Sequence, residues 1–210
     1  TRTDTCSICQ ETREVTVYNG ESKDANEFKD KEIEMENATL KMDDGVIDEI
    51  GDKEITLNVD KYDDDSKKEE LGLTSEQLAQ VGDNPIYDFK MKSGDEVISQ
   101  FGENNYIVIT LPYTLEEGED VDSIAIWFIN DNGELESFKA TYSNGFVSFQ
   151  TNHFSYYTVT KLTPAERCAL YGHNYSTKEV TGNCLNDSYI IYVCQRCHDT
   201  YKEVTEVATG

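Results

Sequence analysis

Four cysteines and a histidine in the last fifth of the chain have the types and spacing of metal ligands. Cys194 and Cys197 form a C-x-x-C pair, the spacing at which a tight turn presents two thiolates to one Zn²⁺ ion. His173 and Cys184 complete a Cys₃His set, so we predict a structural zinc site of His173, Cys184, Cys194 and Cys197. Such a site would let a module of this size fold without a sufficient core of its own. Cys168 is then left over, as an alternative fourth ligand in place of His173 or as a partner of Cys184.

A second C-x-x-C pair, Cys6 and Cys9, lies near the start of the sequence and provides further candidate ligands. Cys168 would meet this pair if the two ends of the chain come together. Disulfide bonding is the competing interpretation, because small secreted modules are commonly stapled that way and six cysteines permit fifteen complete pairings. C-x-x-C-H, ending at His198, also spells a c-type haem attachment motif, but a small polar module lacks the apolar pocket that haem requires.

Charge excludes several classes of partner. The 210 residues include 18 Lys and Arg against 42 Asp and Glu, a formal net charge of −24. Nucleic acids and anionic membranes would be repelled, so we expect neither as a partner. The longest apolar run, residues 124–129, is far short of the roughly 20 residues needed to cross a bilayer. Because the sequence begins with neither Met nor a signal peptide, we expect it to be a piece of a larger chain.

Cysteine and charge are distributed in segments. Residues 10–167 contain no cysteine, and most of the negative charge lies before residue 162. We therefore predict an N-terminal remnant (1–27), an acidic β domain (28–161) and a small Cys/His module (162–210). Thr163-Pro164 marks the second junction.

Period-two alternation of apolar residues predicts strands through most of the acidic domain. The predicted strands are 54–59, 106–111, 123–130, 134–140, 140–142, 146–151 and 153–160. Asn-Gly turns at 132–133 and 144–145 predict two hairpins, and the Thr74-Ser75-Glu76-Gln77 capping box predicts one short helix ending at Gly82. The fold class is mainly β: an antiparallel β-sandwich with one short helix, plus a small Cys/His β-rich module like a zinc ribbon.

Two stretches resemble modules of large surface proteins of Gram-positive bacteria. Residues 84–161, with P-I-Y-D-F, V-I-T-L-P-Y, I-W-F-I-N-D-N-G-E-L-E, A-T-Y-S-N-G-F-V-S-F and H-F-S-Y-Y-T-V, resemble the C-terminal half of a ZU5-like β-sandwich. The tail resembles a Cys/His repeat of the same proteins through Cys168, His173, Cys184, residues 189–192, the Cys194–Cys197 pair and the A-T-G ending. Thr5 to Cys9, followed by Thr12-Arg13, looks like the end of an earlier copy. The family usually has Gly after C-x-x-C, where this chain has His198.

The resemblance implies a non-enzymatic extracellular module of a Gram-positive cell surface or cell wall. Its role would be spacing, display or adhesion, within a surface assembly that degrades carbohydrates. The partners would be neighbouring modules of the same chain and an extracellular glycan or surface protein. No hydrolase or transferase motif points to an enzyme.

Two alternative functions stay open. In some ZU5-like domains an H-F-S triplet is a self-cleavage site, which here would have Ser155 attack the Phe154 carbonyl with His153 as base. The structural interpretation is that all three lie in an ordinary strand. The other alternative is a carbohydrate-binding module, in which exposed aromatic side chains stack on sugar rings. The candidates are Tyr87, Tyr106, Tyr113, Trp127, Tyr142, Tyr156 and Tyr157.

Overall fold

The computed structural model describes residues 2–5, 10–130 and 134–210, and the chain divides into two compact units, Thr1–Thr160 and Lys161–Gly210. The strands are β1 (Arg2–Thr5), β2 (Thr12–Val15), β3 (Lys23–Asp24), β4 (Ile33–Glu34), β5 (Thr39–Met42), β6 (Glu54–Tyr62), β7 (Ile86–Ser93), β8 (Glu96–Ile98), β9 (Ile107–Pro112), β10 (Ile124–Ile129), β11 (Leu135–Lys139), β12 (Thr141–Ser143), β13 (Phe146–Thr151), β14 (Tyr156–Lys161), β15 (Tyr175–Val180), β16 (Ser188–Cys194) and β17 (Thr200–Glu206). The helices are α1 (Asp44–Ile50), α2 (Asp65–Glu69), α3 (Ser75–Val81) and α4 (Pro164–Tyr171). No helix within these ranges is long and apolar enough to cross a membrane.

The first unit is a β-sandwich. One sheet has the strand order β11-β10-β14-β7-β6-β3, with β8 added beside β7, and the other has the order β12-β13-β9-β5-β4. Neighbours such as β6 and β7, or β9 and β13, pair antiparallel. The predicted mainly-β fold class is thereby confirmed.

Alternation along the strands builds the core between the two sheets. Ile107, Ile109 and Leu111 of β9 are fully buried, while the residues between them are half exposed. Ile55 and Leu57 of β6 meet them from the other sheet in the same core. Each fully buried aliphatic side chain of this kind contributes about 1.5–3 kcal/mol. The strands predicted at 54–59 and 106–111 are confirmed.

The predicted hairpin at 144–145 and the predicted helix cap at Thr74 are also present in the structure. Asn144 and Gly145 have φ of 51° and 88°, the positive values that a tight hairpin turn needs, and they join β12 to β13. β10 and β11 pair antiparallel, although the predicted Asp131-Asn132-Gly133 turn lies outside the described residues. α3 begins with the predicted capping box of Thr74 and Gln77.

The expectation of one short helix is incomplete, since the structure adds α1, α2 and α4. The Asp43 carboxylate accepts from the backbone of Val46 to begin α1, and Asp64 accepts from Ser66 to begin α2. Both aspartates are therefore helix caps. The capping boxes of α3 and α4 are alike, but Thr163-Pro164 was interpreted only as a junction.

The sandwich begins before the predicted boundary at residue 28. β3 pairs with β6, and Ala25 is fully buried. Tyr18 packs against the core, and its hydroxyl accepts from the backbone N–H of Leu57 at 3.2 Å. These contacts assign the end of the predicted N-terminal remnant to the sandwich.

The last sandwich strand begins at Tyr156 rather than at His153. Phe154 and Tyr157 both belong to the core, although residues three apart in one strand face opposite sides of a sheet. The chain therefore turns between them. Phe154 donates its backbone N–H to Ser99 at 2.8 Å, and the Tyr157 hydroxyl donates back to the carbonyl of His153 at 2.6 Å. This backward bond is like the tyrosine corner of other β-sandwiches.

We predict that Tyr157→Phe lowers the free energy of unfolding of the sandwich by about 1–3 kcal/mol, because the His153 carbonyl and Thr151 hydroxyl lose a buried partner. Urea denaturation monitored by circular dichroism measures the change. Tyr106→Phe is the control, since Tyr106 is 41% exposed and its substitution should shift stability by less than about 0.5 kcal/mol. Equal midpoints for the two variants would show that the corner is not structural.

Candidate metal centre

Four side chains of the second unit converge on one point. The ligand atoms of Cys168, His173, Cys194 and Cys197 all lie within 4.8 Å of one another. The Sγ atoms of Cys168 and Cys194 are 3.5 Å apart, and Sγ of Cys197 is 3.4 Å from Nδ1 of His173. Three sulfurs and one imidazole nitrogen at these separations could hold a metal ion.

α4 positions the first two of these side chains. Thr163 and Glu166 form a capping box, and Pro164 occupies the first turn, where its missing N–H costs nothing. The helix carries Cys168 in its interior, and Cys168 is buried. Gly172, with φ of 82°, ends the helix and lets the chain turn so that His173 leads into β15.

A tight turn after β16 positions the other two. The backbone N–H of Cys194 donates to the Asp199 carbonyl at 2.8 Å, and that of His198 donates to the Cys194 carbonyl at 3.0 Å. His198 has φ of 59°, in the left-handed region that favours glycine. Glycine would adopt this conformation without strain.

Two of the ligand separations suit a tetrahedral site. Ligands about 2.0–2.3 Å from a central Zn²⁺ lie about 3.5–3.8 Å from one another, close to the two distances above. Burial opposes ionisation of Cys194, but backbone N–H groups of Cys197, Arg196 and Asn174, together with His173, lower its pKa to about 5. Burial and the neighbouring sulfurs of Cys197 and Cys194 raise the pKa of Cys168 to about 11.

Cys184 lies away from the cluster, so the predicted set of His173, Cys184, Cys194 and Cys197 is corrected to one with Cys168 in place of Cys184. Tyr175 pairs with Cys194 at the cluster end of the sheet, and β15 then runs five residues, about 17 Å, to Val180. Cys184 follows in the exposed loop beyond, where its carbonyl accepts from the backbone of Gly210. A ligand in that loop cannot reach the other three.

The hairpin of β1 and β2 matches the hairpin of β16 and β17. Thr5 pairs with Thr12, just as Val193 pairs with Thr200 on either side of the second C-x-x-C. Gln10 has φ of 59°, as has His198. The predicted ligands Cys6 and Cys9 themselves lie outside the described residues. Their flanks therefore have the same backbone pattern as the flanks of Cys194 and Cys197.

The residues of the proposed self-cleavage site have structural roles. The Ser155 hydroxyl donates to the Ile129 carbonyl at 3.0 Å, and none of His153, Phe154 and Ser155 has a positive φ. The His153 ring packs edge-on against Phe128 at 4.8 Å. Self-cleavage at this position stays a prediction.

The seven aromatic side chains considered for sugar stacking do not form one platform. Tyr87 and Tyr157 are buried in the core, whereas Tyr106 is 41% exposed. Tyr106 lines an open groove of about 510 Å³ at the edge of the sandwich. Its other lining residues are Glu103, Asn104, Asn105, Phe128, Glu136, Phe138, Gln150, Thr151, Asn152 and His153, a set with no lysine or arginine.

We predict that His198→Val destabilises the second unit by about 1–2 kcal/mol, because a β-branched side chain is strained at this positive φ. His198→Gly should leave its stability unchanged or raise it by up to about 1 kcal/mol. Hydrogen exchange of the β15–β17 amides measures both. Thr200→Val is the matched control, since valine suits that exposed strand position. Equal protection in His198→Val and Thr200→Val would contradict the strain.

Comparison with known proteins leaves the centre to be interpreted from its own geometry. No protein-family model matches the chain, and no solved structure matches it. The Cys₃His cluster and the mainly-β sandwich are therefore the two features on which a function can be proposed.

Proposed function

We propose that the protein is a non-enzymatic structural or adhesion module of a Gram-positive cell surface, in which an acidic ZU5-like sandwich is followed by a small module built around one structural Zn²⁺. The observation that carries the zinc proposal is the convergence of Cys168, His173, Cys194 and Cys197. A Cys₃His set with all four positions filled by protein suits a structural rather than a catalytic metal, because no open position is left for substrate.

The composition of the second unit's interior supports this role. Within Lys161–Gly210, the fully buried apolar residues are Leu162, Cys168 and Cys194, so two of the three belong to the cluster. The strand β17 is exposed along its whole length. About 50 residues with so little buried apolar surface need a metal or covalent links for stability.

Zinc accounts for the cluster better than disulfides do. A Cys168–Cys194 bond would leave Cys197 beside His173 with nothing to join. Cys184, alone in its loop, would have no nearby partner among the described cysteines. One metal ion instead uses all four converging side chains.

The repeated hairpin supports a modular arrangement along the chain. The match between the β1–β2 and β16–β17 hairpins makes Cys6 and Cys9 the proposed counterparts of Cys194 and Cys197. Neighbouring modules of the same chain are the proposed partners. A net charge of −24 would keep such modules soluble and mutually repelling when crowded on a surface.

We expect one tightly bound zinc ion per Cys₃His centre, and Cys168→Ser should abolish zinc binding at the second unit. Cys184→Ser is the matched control and should bind zinc as the parent does, because Cys184 lies outside the cluster. Metal analysis and native mass spectrometry of the full chain, with the thiols counted after unfolding, measure this. Zinc bound by Cys168→Ser but not by Cys184→Ser would contradict the assigned ligands, and disulfides in the parent would contradict the metal.

The groove around Tyr106 favours a second candidate function, the binding of a neutral glycan. Half-exposed Phe128 and Phe138 form aromatic surface with ring centroids 4.9 Å apart, and Asn104 and Gln150 offer amide groups to sugar hydroxyls. Glu103 and Glu136 are the charged lining residues, so the groove would repel an anionic ligand. Its volume is in the range of ligand sites.

We expect Tyr106→Ala to weaken binding of a neutral oligosaccharide by about tenfold, through loss of ring stacking. Isothermal calorimetry with cellohexaose, maltohexaose and chitohexaose measures it. Phe146→Ala removes an aromatic ring of similar exposure, 49%, outside the groove and should leave affinity unchanged. Absence of binding to all three sugars would end the glycan proposal for this groove.

A further inference from the structure

The imidazole of His173 is the most exposed ligand of the cluster, and its orientation needs an explanation. Ligand histidines usually donate their second ring N–H to a carboxylate or carbonyl, which fixes the ring. His173 points Nδ1 at the cluster, 3.4 Å from Sγ of Cys197. In the part of the chain that the structure describes, no group is hydrogen-bonded to Nε2 of His173. Within the described residues, the contact that restrains the other side of the ring is with a neighbouring aromatic side chain.

Tyr175 supplies a flat surface for that ring. Its phenol ring stacks on the His173 imidazole with centroids 5.0 Å apart and planes 13° apart. Tyr175 is itself held by edge-on contacts with Tyr201 at 5.1 Å and Tyr192 at 6.3 Å. A ring fixed on its edges and stacked on one face restricts rotation of the imidazole against it.

Asp199 joins Tyr175 to a second ligand of the cluster, Cys194. The Tyr175 hydroxyl donates to Oδ2 of Asp199 at 2.8 Å. The carbonyl of Asp199 accepts from the backbone N–H of Cys194 at 2.8 Å. A continuous chain of contacts therefore runs from ligand Cys194 through Asp199 and Tyr175 to ligand His173.

We infer that Tyr175 and Asp199 form a clamp that orients His173 so that Nδ1 faces the metal, which makes Tyr175 a positioning residue of the zinc centre. The inference rests on the proposed zinc function. By holding the imidazole in place before metal binds, Tyr175 and Asp199 would reduce the conformational entropy that the His173 side chain loses on binding. The clamp lies wholly within the second unit.

Zinc affinity of the full chain, measured by competition with a chromophoric chelator at one fixed pH, tests the clamp. Tyr175→Phe keeps the ring but breaks the bond to Asp199, and Asp199→Ala breaks the same bond from the other side. We expect each to weaken zinc binding by about tenfold, the lower end of losses seen for supporting residues. The double variant should lose about the same tenfold, because both changes remove one bond.

Tyr192→Phe is the matched control. Tyr192→Phe keeps the ring that contacts Tyr175 and removes only the hydroxyl, which donates to Oε2 of Glu203 at 2.8 Å. Because that hydrogen bond is not part of the chain from Cys194 to His173, its loss should change zinc affinity by less than about twofold. Circular dichroism of each zinc-saturated variant verifies that the sheet is retained.

Co²⁺ substitution separates positioning from general stability. Tyr175→Leu removes both the stacking and the hydrogen bond, and we expect its Co²⁺ ligand-field bands to shift toward those of His173→Ala, as the imidazole leaves the metal. Bands identical to those of the parent in Tyr175→Leu, or equal affinities for Tyr175→Phe and Tyr192→Phe, would overturn the clamp. If the parent chain binds neither Zn²⁺ nor Co²⁺, the proposed zinc function fails and the clamp with it, whereas binding without a Tyr175 effect overturns the clamp alone.

Discussion

The shortage of apolar interior in the last fifty residues is the constraint on which the second unit depends. Its sheet has three strands, one of them fully exposed, and its buried apolar residues are Leu162 and two of the converging cysteines. A sheet of this size cannot repay the entropy of folding through burial alone. In the proposed zinc site, the four converging side chains would supply what the core lacks, since the free energy of binding a structural metal is also folding free energy.

The sandwich offsets the entropy of folding by burying apolar side chains between its two sheets. Two sheets bury alternate residues of β6, β7, β9 and β13 against each other, and helices and loops close its ends. Its irregular features, such as the turn before β14, are held by single buried hydrogen bonds of Tyr157. The two units thus illustrate two routes to stability in one acidic chain: apolar burial in the first and a side-chain cluster in the second.

The sequence predicts correctly those strands, turns and helix caps that are determined by residues close together in the chain. Alternation at 106–111, the Asn144-Gly145 turn and the capping box at Thr74 each fold as predicted, because each is settled within a few residues. The strand expected at 153–160 begins only at Tyr156, because Phe154 and Tyr157 pack into the same core. That packing is a tertiary contact, which alternation of apolar residues does not reveal. The helix α1 was missed because seven residues give only about two turns of periodicity, although Val46, Ile47 and Ile50 have helical spacing.

The ligand set was partly predictable for the same reason. Cys194 and Cys197 follow from spacing alone, since a tight turn brings them together. The choice between Cys168 and Cys184 depends on the pairing of β15 with β16, which carries Cys184 to the far end of the sheet. One local signal did exist: Thr163 and Glu166 form the same kind of capping box as Thr74 and Gln77, and it predicts a helix that carries Cys168.

Zinc K-edge X-ray absorption of the full chain, with Cys6 and Cys9 replaced by serine so that one centre contributes, is the most direct measurement of the central claim. Our account predicts three sulfur neighbours at about 2.3 Å and one nitrogen at about 2.0 Å, with no oxygen from water. A first shell with two sulfurs, a water oxygen in the shell, or a protein that binds no zinc would contradict it.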